Sequence, residues 1–178
     1  MAKCTWANSS ELLKKYHDEE WGKPVHNNQQ LFEMLILETM SCGLSWEIIL
    51  KKRQHMRHVF DNFDPQKIAQ YSDEKINELM QDSGIVRHRA KLLAMVQNAK
   101  AYINLTQNRS FNNFLWEYVN YEPIRNISPK IVTHNEISDK LSRDLKKLGF
   151  KFMGTVITYS FMQAVGMIND HDEFCISS

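Results

Sequence analysis

Apolar residues recur at helical spacing along nearly the whole chain, and no stretch alternates convincingly at period two. The pattern predicts an all-α fold. Asn8, Ser9 and Ser10 are good helix starters, and a short helix follows to about Trp21, ended by Gly22 and Pro24. Asn27 or Asn28 caps the next helix, through LFEMLILETM. That segment is apolar nearly all round, so it is expected to be central and buried. After Cys42 and Gly43, Ser45 begins SWEIILKKRQHMRHVF. Its apolar positions include Trp46, Ile49, Leu50, Val59 and Phe60, and its other face is strongly basic. Asp64-Pro65 and Ser72-Asp73 start two further helices.

A turn at Asp82–Val86 precedes a long helix with Leu92, Met95, Val96, Ala99, Tyr102 and Ile103 on its apolar side. Ser110 caps FNNFLWEYV, and residues 121–135, with Pro123 and Pro129, read as a long loop. Ser138 is expected to cap a helix carrying Leu141, Leu145 and Leu148, ended by Gly149. A last apolar helix, TVITYSFMQAVGMI, leads into the tail NDHDEFCISS.

At 178 residues the chain suits one sizeable domain or two small lobes on a shared core. We expect a lobe over roughly 60–115 and a terminal lobe made of 1–59 plus 116–178. No apolar run reaches transmembrane length, and the N-terminus lacks a signal-peptide core, so a cytoplasmic protein without membrane association is expected. The net charge of +1, taken alone, argues mildly against a nucleic-acid binder. The basic residues are clustered, however, at Lys51–His58, Arg87–Lys91 and Lys146–Lys151, and such runs form either a basic face or solvated helix surfaces.

Glu38 stands out chemically. It follows LFEMLIL and precedes small residues, then Leu44, Ser45 and Trp46. A carboxylate in apolar surroundings is costly, so it is paired, protonated or functional unless it sits solvated at a helix end. Three widely spaced cysteines do not suggest a disulfide framework. The tail spacing His171-x3-Cys175, with Cys4 and His17 near the other end, offers two thiolates and two imidazoles. Those are a complete tetrahedral zinc set with no open position, hence structural; incidental buried thiols and imidazoles are the alternative. LMQDSGIVRHRAKLLAMV has the layout of a helix-hairpin-helix, with Gly84 in the turn and Val86 where a second glycine is usual. The backbone amides at such a helix start suit a phosphate group, and Arg87 and Arg89 add charge. An ordinary α-α hairpin is the alternative.

Several long motifs in one order carry a resemblance over nearly the full length. They are YHDEEWG, LFEMLILE, GLSWEIILKKR, FDPQKIA, GIVRHRAK, GFKFMGT, YSFMQAVG and NDH. The chain resembles the Tag-type 3-methyladenine DNA glycosylases of the helix-hairpin-helix superfamily. The resemblance implies a helix-hairpin-helix glycosylase fold with a clasp joining the N- and C-terminal segments. One structural zinc per chain would be held by Cys4, His17, His171 and Cys175. It further implies a base pocket of Glu38, Tyr16 and Trp46, with Trp6 as a wall and Glu38 also the candidate catalytic group. DNA contacts would come from Gly43, Leu44, Gly84, Val86, Arg87 and Arg89. The expected partner is alkylated double-stranded DNA, acted on by a monomer without a lyase step. A catalytically inactive damage-binding module of the same fold, a zinc hydrolase and a purely structural helical protein are the rival readings. The sequence departs from the family at Thr39, Met40 and Ser41, where a glycine or serine and then a glutamine are common. Those residues lead into the Gly43-Leu44 segment, so the departure bears on duplex contacts.

Overall fold

A computed structural model describes residues 4–126, 132–172 and 175. Part of the stretch read as a loop, 127–131, and half of the tail, 173–174 and 176–178, lie outside the described residues. The chain is mostly helical: α1 Glu11–Glu19, α2 Asn28–Ser41, α3 Trp46–Val59, α4 Pro65–Ile68, α5 Asp73–Leu79, α6 Arg89–Thr106, α7 Phe111–Trp116, α8 Glu136–Lys147 and α9 Thr155–Ala164. No helix among the described residues is long and apolar enough to cross a membrane.

Most of the helix starts are set by side-chain oxygens on orphan amides. Ser10, Asn27, Asp64, Ser72 and Ser110 accept from the backbone N–H two or three residues on. At α8 the cap is Asn135, and Ser138 is the reciprocal partner that bonds back to the Asn135 amide. A serine four residues into a polar stretch looks like a starter, but the asparagine before it completes a capping box. Leu141 and Leu145 are buried, whereas Leu148 lies past the end of α8 and is exposed.

The helix without a polar face is the central one. Leu31, Phe32, Leu35, Ile36, Leu37 and Met40 of α2 are all fully buried, and α3, α6, α7 and α9 pack around it. A segment that is apolar on every side has to be enclosed on every side. Thr39 follows the same rule. Its hydroxyl donates to the Leu35 carbonyl and accepts from Asn98 Nδ2 at 3.4 Å. Asn98 in turn grips the Lys151 backbone, accepting from its amide at 2.6 Å and donating to its carbonyl at 3.2 Å. Thr39 and Met40 thus belong to the core and do not reach a duplex.

Two short strands depart from the all-helical expectation. Ile124–Arg125 (β1) pairs in parallel with Ile168–Asn169 (β2), and the expected last helix stops at Ala164. The chain at 22–25 lies beside this end. The Gly22 amide donates to the Gln163 carbonyl and the Val25 amide to the Val165 carbonyl. Gly166 turns the chain with φ +74°, and a Cβ there would overlap the Lys23–Pro24 peptide. Gly166→Ala is therefore expected to lose about 2–3 kcal/mol of stability, from a strained φ and a backbone clash. Urea unfolding checks it, and an unchanged midpoint would contradict the close approach.

Candidate functional site

Tyr16 and His17 are neighbours near the end of α1, and they face two different sites. On the Tyr16 side, Glu38 from the last turn of α2 is only 4% exposed and Tyr16 3%. The Tyr16 and Trp46 rings lie 5.6 Å apart, centroid to centroid, tilted by 48°. Trp6 is 37% exposed and its ring is 6.4 Å from Tyr16, so it stands at the edge of the group. The Trp46 indole nitrogen is buried, with no hydrogen-bond partner among the described residues.

Burial pushes the Glu38 carboxyl up to about 8, and the Ser41 hydroxyl, 3.3 Å from Oε2, pulls partly the other way. No cation offsets the burial, so Glu38 is largely a neutral acid at pH 7. Burial also holds Tyr16 well above its ordinary value, with the Glu38 charge as the next cause. The Ser41 hydroxyl additionally donates to the Glu38 carbonyl at 2.8 Å. Of the three departures from the family pattern, only Ser41 touches the candidate pocket.

On the His17 side the chain ends meet. Ligand atoms of Cys4, His17 and Cys175 all lie within 4.8 Å of one another, and the three residues are buried. His171 packs against His17, with ring centroids 5.1 Å apart. Its Nδ1 lies 2.9 Å from Asn169 Oδ1, while its Nε2 is buried with no hydrogen-bond partner among the described residues. His17 shows the same division of labour, with Nδ1 on Asp18 at 2.9 Å and Nε2 on the Cys175 sulfur at 3.4 Å. An oxygen on one ring nitrogen fixes the tautomer and leaves the other nitrogen as a lone-pair donor. Two thiols and an imidazole close together, with the His171 imidazole outside that group but packed against His17, are the donor types a tetrahedral metal takes. Burial pushes the Cys4 thiol up to about 11 and His171 down to about 4. Trp21, which sequence reasoning passed over, stacks on His17 and packs edge-on against His171.

The segment after α2 projects outward. Gly43 adopts φ +75° with open space where a Cβ would sit, and Leu44 is 39% exposed. In the turn between α5 and α6, the Asp82 side chain makes two hydrogen bonds. Its Oδ1 accepts from the Gly84 amide at 2.7 Å, and its Oδ2 meets His55 Nε2 at 2.7 Å. The His55 ring also fills the space a Gly84 Cβ would need. With the Gly84 amide occupied, the amides of Ser83, Val86, Arg87, Arg89 and Ala90 make no hydrogen bond among the described residues. Val86 is buried and Arg87 exposed, whereas Arg89 is held by Asn77 and Asp73.

The basic runs divide on closer view. On α3, Arg53 bonds Glu20 and Glu33, Arg57 bonds Glu33, Lys51 pairs with Glu47, and Lys52 donates to the Ser83 carbonyl. Arg53, Arg57 and Lys52 thus tie α3 to Glu20, to α2 and to the turn, while Lys51 pairs within α3 and stays exposed. Lys91, the last member of the Arg87–Lys91 run, is buried.

Over residues 6–178 the chain matches the methyladenine glycosylase family. It is 46% identical over 179 residues to DNA-3-methyladenine glycosylase 1 of Escherichia coli strain K12, spanning 98% of this chain and 96% of that protein. The crystal structure of a 3-methyladenine DNA glycosylase I matches with a TM-score of 0.95 at 44% identity, covering 98% of each chain. A Staphylococcus aureus 3-methyladenine DNA glycosylase I, solved for the structural basis of 3-methyladenine recognition, matches with a TM-score of 0.93. Its identity is 38%, over 98% of this chain and 95% of that one.

Proposed function

This chain belongs to the methyladenine glycosylase family, and from that premise we propose that it excises 3-methyladenine from alkylated double-stranded DNA. The observation that carries the reading is the buried Glu38 carboxyl grouped with Tyr16 and Trp46. A base within a duplex is out of reach, so the nucleotide must first rotate out. Leu44, exposed on the Gly43 turn, is the wedge that fills the gap. The Val86 and Arg87 amides at the start of α6 hold a backbone phosphate, which is the helix-hairpin-helix role.

3-Methyladenine is cationic in DNA. The Trp46 face attracts a cationic ring, and Glu38 accepts hydrogen bonds from its exocyclic amine. A cation beside Glu38 draws the carboxyl back to its ionised form, so the charged pair forms only when the right base enters. An uncharged purine leaves Glu38 a neutral acid and gains less from Trp46. Tyr16 closes another edge, and Trp6 stands at the rim. In the reaction the glycosidic C–N bond breaks with its electrons passing to the cationic base, which leaves neutral. Water adds its oxygen to the sugar carbon and gives up a proton. No covalent lysine intermediate is involved, and the strand stays intact.

Cys4, His17, His171 and Cys175 would hold one zinc ion, which with four protein ligands supplies cross-linking of the two chain ends and no Lewis-acid site. His17 adjoins Tyr16, so the clasp fixes the backbone that presents a pocket residue. The whole pocket comes from one chain, so a monomer suffices.

The test is base release from methylated duplex DNA, resolved by chromatography, with wild type beside Glu38→Ala. Wild type is expected to release 3-methyladenine without nicking the strand, and Glu38→Ala to lose on the order of a hundredfold in rate. A folded protein that binds alkylated DNA and releases nothing would make the chain a damage-binding module instead.

A further inference from the structure

Lys91 lies in the first turn of α6, only two residues past the start of that helix, and is 4% exposed. Its ammonium does not face solvent or a carboxylate. It donates to the Met40 carbonyl at 3.0 Å and to the Cys42 carbonyl at 2.6 Å. These carbonyls sit at the end of α2, which finishes at Ser41 with Cys42 as its cap residue. A helix C-terminus leaves carbonyls unpaired and carries partial negative charge, so an ammonium satisfies both demands there. What is unusual is the source of that ammonium: a different helix, 49 residues on in the chain.

The consequences run in three directions from one side chain. Upstream of the clamped carbonyls, Glu38 sits in the pocket, tied to the same turn by Ser41. Downstream, the Leu44 amide donates to the Ser41 carbonyl at 2.7 Å and the chain turns out at Gly43. Upstream of Lys91 itself, the Val86 and Arg87 amides make no hydrogen bond among the described residues. Resting on the glycosylase reading, we propose that Lys91 is a positioning residue. It fixes the Ser41–Leu44 turn against α6, so that a phosphate seated at the hairpin sets where Leu44 enters the stack. It touches neither the base nor the reacting atoms.

The test separates wedge placement from pocket chemistry. Lys91→Met keeps the length of the side chain and removes the ammonium. Single-turnover release of 3-methyladenine is measured on methylated duplex DNA and on methylated single-stranded DNA, where no stack needs to be opened. Rates are scaled to the number of competent pockets, counted by tryptophan quenching with free 3-methyladenine. The expected result is a fall of between about tenfold and a hundredfold on duplex, the size of effect a misplaced contact gives. On single strands the rate should stay within about threefold, with free-base affinity within about twofold, since the pocket is intact. Should Lys91→Met not fold, Lys91→Gln gives the same comparison with a neutral donor retained. Equal losses on both substrates would make Lys91 a structural residue of the pocket and overturn the proposal, as would an unchanged duplex rate. Wild type that releases no base from either substrate would overturn the glycosylase reading and this proposal with it.

Discussion

Glu38→Gln protein is expected to melt higher than wild type at pH 8.5 while binding free 3-methyladenine about 30-fold or more weakly. The stability half follows from the carboxyl that burial raises from 4.5 to about 8. Below pH 4.5 the acid is protonated in both the folded and unfolded chain, and its contribution to stability is fully present. As pH rises toward 8, the unfolded chain gives up this proton and the folded protein keeps it. Folding then takes up a proton, so stability falls with pH across this window and levels off above it. The full difference is on the order of a few kcal/mol. Glutamine is close in shape and has no proton to bind, so the gap between the two proteins should grow from pH 5 to pH 8.5. The binding half follows from the same proton. A neutral carboxyl can pass its proton to an incoming base and end as a carboxylate against a cation, and hydrogen bonds between charged groups are roughly twice as strong as neutral ones. Glutamine cannot complete that exchange. Thermal melts at both pH values and a fluorescence titration with the free base check the two halves. Parallel melting curves would mean that Glu38 ionises freely in the folded protein, and unchanged affinity would remove it from the pocket.

The second large effect concerns the joined chain ends. Cys175→Ser is expected to purify with well under one equivalent of zinc and to melt roughly 8–16 °C below wild type, as a loss of about 4 kcal/mol gives for a chain of this size. The reasoning rests on the donors that converge there. Ligand atoms of Cys4, His17 and Cys175 lie within 4.8 Å of one another, and His171, packed against His17, has a buried Nε2 with no hydrogen-bond partner among the described residues. His17 and Cys175 are 158 residues apart in the chain, so a bond through one metal closes nearly the whole polypeptide into a loop. Replacing one thiolate leaves three ligands and a buried hydroxyl in a space shaped for sulfur. Chelation of wild type should lower its melting point to a similar degree, and chelation of Cys175→Ser should change little further. A variant that retains a full equivalent of metal would take Cys175 out of the clasp. A wild-type protein that binds no zinc would leave the four residues as buried thiols and imidazoles.

What the sequence determined by itself is what neighbours in the chain decide. Helical spacing marked the helices, and Ser10, Asn27, Asp64, Ser72 and Ser110 marked their starts, because a cap bonds an amide two or three residues away. The unbroken apolar run of α2 announced a buried centre, and the ordered motifs announced the family. The parallel pairing of Ile124 with Ile168 was not legible, since two-residue strands have no period to read and their partner lies 44 residues away. Nor was the fate of the charges. KKRQHMRH reads as a basic face, yet Arg53 and Arg57 pair with Glu20 and Glu33, and His55 Nε2 hydrogen-bonds Asp82. Lys91 reads as one more cation in a basic run, and Thr39 and Met40 read as departures bearing on duplex contacts through the segment they lead into, although the core encloses both. Charge is carried by a residue, but its partner is chosen by the packing of distant helices. Glu38 shows both sides of this: the apolar run around it was visible along the chain, while the burial that keeps it protonated exists only once α2 is enclosed.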